Sequence, residues 1–234
     1  TRLRAKLMLT HPGQTNFDPD YIIGIDISLH KGTDIGVCTG ILYRVSDMTH
    51  LDTETCDVEV TEPYFAGYLA FREVDFYAYV YHNLINRHPE IQTDDLVVMT
   101  DGNGLLHPFG FGLACHLGVL LNVPTIGIGK NLHQYEDLQY NRKDLKAKMV
   151  TDSLSEMDIL SKDGSFVGYA IKGPSNTNPI FLSQGHLVTA DDVLRITKSV
   201  LFKREPEPIR LADRVSREHL RNNPLALDVV INDE

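Results

Sequence analysis

Three short apolar runs that alternate with helical segments constrain the fold of this chain more than any other feature. The runs cover 21–28, 95–100 and 125–129 and are rich in β-branched residues. Apolar spacing typical of helices fills 71–88 and 111–121 between them. Buried strands that are joined through helices form sheets with both faces covered. The sequence therefore predicts an α/β fold with a central sheet and helices on both faces.

More strands flank this core and make the predicted sheet a mixed one. Runs at 34–45 and 54–60 follow the first strand closely and indicate a three-strand meander. Downstream, the pattern predicts a hairpin of 154–160 with 165–172, a strand at 179–183, and helices at 190–202 and 208–222. We expect a single domain over 1–222 and a disordered acidic tail over 223–234.

Charge and cysteine usage narrow the functional classes. A net charge of −10 disfavours a protein that coats nucleic acid through bulk charge. Residues 195–221 nevertheless carry eight basic and four acidic residues, and 142–148 carry four and one; solvated helix faces are the simpler interpretation of both. No apolar run approaches the ~18 residues of a membrane span, so we expect no membrane association. We infer no protein partner.

The three cysteines indicate the compartment. Cys38, Cys56 and Cys115 are odd in number and lack the spacing of a metal site. Such cysteines fit a reducing environment. We therefore expect the protein in the cytoplasm or the nucleus, including the nucleolus.

Four acidic residues occupy positions where the apolar pattern favours a core residue. Asp26 lies inside the first predicted strand, and Asp101 ends the strand at 95–100. Glu73 and Asp213 lie in the apolar stripes of two helices. A charge in an apolar element is costly, so four together favour one or two shared Mg²⁺ or Mn²⁺ ions, as in phosphodiester hydrolysis. For any one of them, a capping or hydrogen-bonded buried acid is the simpler alternative.

Two basic side chains follow predicted strand ends. Lys130 comes directly after 125–129, at the carboxyl end where sites form in α/β sheets. We predict that it offsets phosphate charge, with a solvated lysine as the alternative. His186 follows the strand at 179–183 and could orient water or phosphate. A structural histidine is the alternative for His186.

Glycines near the acids suggest how a base could be read. Glycine lets backbone approach a ligand closely and exposes its N–H groups. A base flipped into a cleft beside Gly67, Gly102 and Gly104 could therefore be read by backbone groups. His107 follows the last of these glycines. Tyr64 lies in a predicted loop and could wedge into a base stack, although a core tyrosine is a fair alternative.

Five segments together resemble the endonuclease V family. They are 24-GIDIS-28, 63-PYFAGYLAFREV-74, 98-VMTDGNGLLHPFGFGLACHLGVLLNVPTIGIGK-130, 183-SQGH-186 and 206-PEPIRLAD-213. The resemblance spans nearly the whole chain, up to residue 222. It implies a ribonuclease H-like fold and Mg²⁺-dependent cleavage of the second phosphodiester bond 3′ to inosine or deoxyinosine. Mn²⁺ is expected to support the reaction as well.

The resemblance also implies roles for individual residues. Position 213 is His in bacterial members and Asp in animal-type members, and Asp keeps a hard oxygen ligand there. The expected metal ligands are Asp26, Glu73, Asp101 and Asp213, and Lys130 completes the catalytic set. The expected substrate contacts are Tyr64, Gly67, Leu69, Gly102, Gly104, His107 and His186.

Two departures from the bacterial pattern bear on the substrate. The first is Asp213; the second is the bacterial wedge Pro-Tyr-Ile-Pro, in which Phe65 and Ala66 replace the last two residues here. Both resemble the eukaryotic branch, which prefers inosine in RNA. We therefore expect an inosine-specific ribonuclease that favours single-stranded RNA. A deoxyinosine-specific DNA repair endonuclease and a non-cleaving inosine-RNA binding protein are the alternatives, and the intact acids disfavour the second. An actin-like ATPase is disfavoured because TDGNG is a poor match to its phosphate loops.

Overall fold

The computed structural model describes residues 2–11, 16–60, 69–174 and 178–224, with the backbone alone at Leu69 and Phe71. Its strands are β1 Tyr21–Leu29, β2 Ile35–Arg44, β3 Thr49–Glu59, β4 Leu96–Asp101, β5 Thr125–Gly129, β6 Glu156–Leu160, β7 Phe166–Ile171 and β8 Ile180–His186. Its α-helices are α1 Leu69–Arg87, α2 Leu113–Leu121, α3 Arg142–Thr151, α4 Ala190–Ser199 and α5 Glu207–Asn222. Short 3-10 helices cover Arg4–Lys6 and Thr93–Asp95.

The strands form one mixed sheet in the order β3-β2-β1-β4-β5-β8-β7-β6. The first three strands form the predicted antiparallel meander. β4 pairs in parallel with β1, and β5 pairs in parallel with β4. β8, β7 and β6 continue the sheet with antiparallel pairs. The predicted mixed α/β sheet is confirmed. The carboxyl ends of β1, β4 and β5 meet at one edge, which we call the catalytic edge.

Helices cover both faces of this sheet, as predicted. On one face, α1 and α2 pack against residues that include Ile23 and Ile25 of β1. On the other face, α4 and α5 pack against residues that include Ile22 of β1 and Ile41 of β2. Successive residues of β1 serve opposite faces because side chains alternate along a strand. We call these two sides the α1 face and the α5 face.

A bare backbone position lets α5 lie directly on β1. A Cβ at Gly24 would overlap both the backbone and the side chain of Pro208, in the first turn of α5. Ile209 and Ala212 of α5 are fully buried against the sheet. The close approach carries the later turns of the helix along β1 toward the catalytic edge.

The structure differs from the sequence-based prediction at several element ends. β3 begins at Thr49 rather than 54, in a polar stretch that pairs with β2 alone and so needs no apolar alternation. Apolar periodicity does not predict α3, because only Leu145 and Met149 of its ten residues are buried; charge alone indicates a solvated helix face at 142–148. α4 ends at Ser199 rather than 202. β8 is longer than predicted, since it runs through His186.

The predicted acidic tail and the predicted domain boundary cannot both be compared with described residues. The proposed tail includes 225–234, which lie outside them, and the boundary of the domain stays a prediction. Among the described residues, none of the helices combines the length and the apolar character that crossing a bilayer requires.

Candidate active site

Carboxylates surround one lysine at the catalytic edge, on the α5 face. Lys130 Nζ lies 2.8 Å from Asp101 Oδ2 and 2.9 Å from Asp213 Oδ1. Asp26 Oδ1 lies 3.6 Å from the same nitrogen, and Glu205 Oε2 lies 3.7 Å from it. Lys130 and the three aspartates line a cleft of about 310 Å³. The structure thus brings together four of the five residues predicted to be catalytic.

Strand register explains why these side chains meet. β1 and β4 pair with Ile25 opposite Thr100. The residues that follow, Asp26 and Asp101, therefore point to the same face of neighbouring strands. Lys130 directly follows the last residue of β5, which is the next strand in the sheet. Adjacent strands lie about 4.8 Å apart, so side chains from all three can share one cation.

The electrostatics of the cluster follow from burial and neighbouring charge. Burial raises the pKa of Asp26 well above its usual range, and a hydrogen bond to Asp101 and the charge of Asp101 add to the rise. Burial disfavours the charge on Lys130, but Asp101 and Asp26 raise its pKa in net effect. Burial also opposes the charge on Asp213, yet hydrogen bonds from Lys130 and Arg217 leave its pKa lowered. Lys130 therefore stays cationic among acids that it only partly neutralises.

Glu73 approaches from the opposite side of the sheet and does not join this cluster. It lies near the start of α1, on the α1 face, and no hydrogen bond or ion pair links it to the aspartates in the described part of the chain. Burial, and then the charge of Asp101, raise its pKa to about 7. Within the described ranges, no three acidic, histidine or cysteine side chains form a ready-made metal cluster. Glu73 is therefore linked to the cluster only through the charge of Asp101, and its convergence with the three aspartates on one ion stays a prediction.

The chemistry of the donors nevertheless fits a divalent cation. Every anionic group at the cluster is a carboxylate, and hard cations such as Mg²⁺ prefer oxygen ligands. The ammonium of Lys130 already occupies a cation's position between the aspartates. Burial and the neighbouring Asp101 keep the pKa of Asp26 raised although Lys130 lowers it, so one ammonium does not fully offset the negative charge of the cluster. Asp26, Asp101 and Asp213 are the residues that would hold the ion.

Two hydroxyl groups support Asp26 from the α5 side. Ser28 Oγ and Ser216 Oγ lie 2.8 Å apart, and each is 3.4 Å from Asp26 Oδ2. Ser216 Oγ also donates to the carbonyl oxygen of Asp213 at 3.0 Å. The pair therefore engages one oxygen of Asp26 while the other oxygen faces Lys130.

Three charged residues at the site were not singled out from the sequence. Arg217 holds Asp213 with Nε 2.9 Å from Oδ2 and Nη2 3.0 Å from Oδ1. Arg204 Nη2 donates to the carbonyl of Lys130 at 3.0 Å. The i, i+4 spacing of Asp213 and Arg217 is a signal in the sequence that could have identified Arg217. Arg204 and Glu205 lie in a loop, where no periodicity marks a side chain that faces a site.

The glycines after Asp101 serve packing rather than an exposed backbone. Gly102 N–H donates to the carbonyls of Thr100 and Ile128 at 2.9 and 3.0 Å. Gly104 N–H donates to Ser183 Oγ at 2.8 Å, and a Cβ at Gly104 would overlap the backbone of β8. The expectation that these N–H groups are free to read a base is therefore wrong in this conformation. Substrate contact at Gly102 and Gly104 by other atoms stays a prediction.

His107 lies at a second groove. Its ring stacks on His133 at a centroid distance of 5.8 Å and contacts Phe109 at 5.6 Å. Its Nδ1 accepts a hydrogen bond from the N–H of Phe109 at 3.3 Å. The groove has a volume of about 390 Å³ and shares none of its described lining residues with the carboxylate cleft. A substrate contact at His107 stays a prediction.

His186 lies at the wrong end of the sheet for a role beside Lys130. It is the last residue of β8 and pairs with Thr125, the first residue of β5, whereas Lys130 follows the last. Its ring is buried, and Nδ1 accepts from the N–H of Met8 at 3.1 Å. The premise that His186 follows the end of its strand is therefore wrong, and a substrate contact at His186 stays a prediction. The structural histidine, which was the alternative, matches these contacts.

The remaining predicted substrate contacts fall outside the structural description. Tyr64 and Gly67 lie outside the described residues, and so does the side chain of Leu69. The proposed wedge and the first part of the proposed base pocket therefore stay predictions.

Comparison with known proteins identifies the family. The model of the family Endonuclease V matches residues 1–214. The chain belongs to the endonuclease V family. Endonuclease V of Homo sapiens is 34% identical over 204 residues, which cover 86% of this chain and 71% of the human protein. Endonuclease V of Mus musculus is 32% identical over 230 residues, covering 94% of this chain and 67% of the mouse protein.

Solved structures of endonuclease V share this fold. The catalytic domain of human endonuclease V has a TM-score of 0.85 and 31% identity, over 95% of this chain and 93% of that one. Ciona intestinalis endonuclease V, solved with a DNA that contains an inosine followed by a ribo-adenosine, has a TM-score of 0.87 and 29% identity. That match covers 94% of each chain. The resemblance inferred from the motifs and the ribonuclease H-like fold are both confirmed. Endonuclease V proteins are metal-dependent nucleases, and the carboxylate cleft is the candidate active site.

Proposed function

We propose that this endonuclease V family member is a metal-dependent endoribonuclease that cuts single-stranded RNA at inosine. The cut falls at the second phosphodiester bond 3′ to the inosine, and Mg²⁺ is the cation, with Mn²⁺ as a substitute. The observation that carries the proposal is the carboxylate cluster of Asp26, Asp101 and Asp213 around Lys130. The chain that carries these residues belongs to a family whose members hydrolyse phosphodiester bonds.

The side chains of the cleft have separable tasks in this reaction. A divalent cation held by Asp26, Asp101 and Asp213 would supply a water of lowered pKa and offset charge on the leaving oxygen. Lys130 stays protonated and offers its ammonium to a phosphate oxygen. Arg217 holds Asp213 through a two-bond fork, which limits rotation of that carboxylate. The divalent cation and the ammonium of Lys130 would both lower the free-energy cost of bringing a phosphate anion into an acidic cleft.

Inosine and RNA are the finer parts of the proposal. The relative from Ciona intestinalis was solved with a strand that places a ribose directly after inosine. That strand supports inosine as the recognised base and makes the neighbouring sugar worth testing separately. The support for RNA comes from the sequence, at Asp213 and at the wedge positions 65 and 66. A deoxyinosine-specific DNA endonuclease is the second candidate, because its chemistry at the cleft is the same.

Four single strands of one base sequence separate these candidates. They are an RNA with inosine, a DNA with deoxyinosine, the same DNA with one ribonucleotide after deoxyinosine, and an RNA with adenosine. We expect the inosine RNA to be cut at least about fivefold faster than the DNA, because one lost 2′-hydroxyl hydrogen bond costs about 1 kcal/mol. The adenosine RNA is expected to survive. Rates are measured at one Mg²⁺ concentration under single-turnover conditions.

Three outcomes would each contradict part of the proposal. Faster cleavage of the deoxyinosine DNA would assign the enzyme to DNA repair. Equal cleavage of the adenosine RNA would remove base recognition. Binding of inosine RNA without cleavage in any divalent cation would favour the non-cleaving binder.

The site of action is part of the same proposal. Cys38, Cys56 and Cys115 are free thiols in the structure. Free thiols fit a reducing compartment, and we place the enzyme in the cytoplasm or the nucleus, where RNA is available to it.

A further inference from the structure

An exposed aromatic residue beside two basic residues lies in the loop between α4 and α5. Phe202 is 54% exposed, and Lys203 next to it is exposed as well. The loop closes back on α4, since Glu207 N–H donates to the carbonyl of Val200 at 2.9 Å. Exposing a large aromatic side chain to water is unfavourable. Neither of the two candidate endonuclease activities gives Phe202 a role.

Contacts at the end of this loop place it beside the candidate active site. Arg204 Nη2 donates to the carbonyl of Lys130 at 3.0 Å. The next residue, Glu205, has its carboxylate 3.7 Å from Lys130 Nζ. Phe202 is therefore three residues along the chain from a side chain that faces the catalytic lysine.

A second contact holds the loop at the catalytic edge of the sheet. Gly173 follows β7, whose last residue pairs with the first residue of β8 near the end of β5. A Cβ at Gly173 would overlap the carbonyl of Lys203 and crowd the backbone of Arg204. The loop thus lies between Gly173 and Lys130, and its position does not depend on the exposed side chains.

Arg204 also retains hydrogen-bonding capacity. Its Nε is buried and has no hydrogen-bond partner among the described residues, and Nη1 lies a full 4.0 Å from Glu205. A guanidinium with unused donors at the rim of a phosphodiester cleft is suited to a phosphate oxygen. The side chain of Arg204 is 34% exposed, so the guanidinium is open to an anion that approaches from solution.

Charge and surface chemistry identify the occupant as a single nucleic acid strand. The protein carries a net charge of −10, so a polyanion needs local cations to approach the acidic cleft. Alternating aromatic and basic side chains are the means by which proteins hold unpaired strands, with bases on the rings and phosphates on the cations. An unpaired base offers Phe202 a flat apolar face that a phosphate-rich duplex exterior lacks.

We infer that Phe202, Lys203 and Arg204 form a strand-binding subsite that holds the substrate next to the scissile phosphate. Phe202 stacks on one unpaired base without regard to its identity, and Lys203 and Arg204 contact adjacent phosphates. The inference rests on the proposed function for a nucleic acid substrate, but it does not depend on inosine or on the sugar. Phe202 and Lys203 act in binding, whereas Arg204 also contacts Lys130 and cannot be changed without disturbing it.

Binding of labelled single strands to the full chain tests the subsite. The variants are Phe202→Ala, Lys203→Ala and the conservative Phe202→Tyr, and fluorescence anisotropy in a chelator reports affinity without cleavage. A matched control is Val150→Ala with Lys143→Ala, one apolar and one basic residue that α3 exposes. Two RNA strands are used, one intact and one that is abasic throughout.

The expected pattern is specific to stacking. Phe202→Ala weakens binding of the intact strand about tenfold, Phe202→Tyr restores it, and neither changes binding of the abasic strand. Lys203→Ala weakens both strands and lowers the slope of log affinity against log salt by about 1. The α3 control leaves both affinities unchanged.

Other outcomes overturn the inference and separate it from the proposed function. If wild-type protein binds and cuts inosine RNA while Phe202→Ala and Lys203→Ala bind as tightly, the subsite is wrong and the proposed function stands. If Phe202→Ala weakens intact and abasic strands equally, stacking is wrong. If wild-type protein neither binds a strand nor cuts inosine RNA when Mg²⁺ is present, both ideas fail. If the protein does not discriminate inosine from adenosine but Phe202→Ala still weakens binding, inosine specificity is wrong and the subsite stands.

Discussion

Lys130 determines how far the acidic cleft is neutralised. Its ammonium contacts Asp101 and Asp213 and approaches Asp26 and Glu205. An uncompensated carboxylate in a buried site raises its own pKa instead of holding its charge, as Asp26 does. The same negative charge that is unfavourable in the free protein is what attracts a divalent cation. We therefore propose that the residues of the cleft are arranged for cation binding at a cost to the stability of the fold.

His186 predicts how the fold responds to acid. Burial lowers its pKa below the usual value near 6.5. The unfolded chain therefore binds more protons than the native one between the lowered and the usual pKa, and stability falls as pH falls through this window. His186→Gln is expected to flatten the fall of the free energy of unfolding as the pH drops below about 6.5. Urea denaturation at a series of pH values measures the effect.

A second histidine provides the control for this prediction. His82 is exposed on α1, so His82→Gln should keep the acid sensitivity of the wild-type protein. Burial also lowers the pKa of His116. The His186→Gln variant should therefore keep the part of the acid sensitivity that His116 contributes. An unchanged pH profile in His186→Gln would show that its buried ring does not contribute.

Sequence reasoning at this scale succeeded where a residue broke a pattern. Asp26 and Asp101 interrupt apolar strands, and the structure places both at the cleft. Glu205 interrupts nothing, because loops have no periodicity to break, and so it was missed. The position of His186 was misjudged for the opposite reason: the polar Gln184 made a continuous strand look finished at Ser183, although both residues are buried.

The packing of α5 on β1 is the element contact on which the cleft depends. Asp213 comes from the helix and Asp26 from the strand, so their separation follows that of the two elements. Gly24 and Pro208 are in direct contact at the start of the helix. Ser28 and Ser216 join the two elements again farther along. The geometry of the acids is therefore sensitive to the strand-to-helix distance.

Gly24→Ala tests this dependence. The added methyl group would overlap Pro208 and push α5 away from β1. Overpacking of this kind costs about 1–3 kcal/mol of stability, and we expect at least a tenfold lower cleavage rate, on the order of what small misplacement at a reacting centre causes. The urea midpoint and the single-turnover rate below the unfolding transition are measured together.

An exposed glycine separates lost stability from lost geometry. Gly32 has a positive φ of 77°, and a Cβ added there would meet no atom beyond its chain neighbours within 4 Å. Gly32→Ala should therefore lower stability by about 1–2 kcal/mol through backbone strain alone and leave cleavage unchanged. If Gly24→Ala cut substrate as fast as Gly32→Ala does, the position of α5 would not control the site.

Elements with a clear apolar period were the ones that the sequence could predict. The parallel strands and α1 have buried stripes, and their predicted bounds lie within two residues of those observed. α3 and the first residues of β3 are mostly polar, because each packs through one side only. Sheet order was also beyond the sequence, since the register that joins β5 to β8 depends on packing between distant segments.

At the scale of the whole molecule, the topology converts separate motifs into one site. β1, β4 and β5 are neighbours in the sheet, so the side chains of Asp26, Asp101 and Lys130 meet at one edge. α5, the last helix, returns to the first strand and adds residue 213. The family motifs at both ends of the chain are therefore parts of one cleft.

The central claim is that this cleft holds the cation that cleavage requires. Asp101→Asn keeps the size of the side chain and removes its charge, and Asp101 is only partly buried, so the fold should melt like the wild type. Strand affinity should not weaken, because phosphate contacts dominate affinity and one repulsive charge is gone. Cleavage should fall by more than about 100-fold, since a metal ligand is lost.

The most direct measurement is the single-turnover cleavage of inosine RNA by wild-type protein and Asp101→Asn across a Mg²⁺ titration. We expect the wild-type rate to rise with Mg²⁺ and saturate, and the variant to stay slow at every concentration while it binds the strand. A variant that cuts at the wild-type rate, with the same Mg²⁺ dependence, would contradict the assignment of this cleft as the active site.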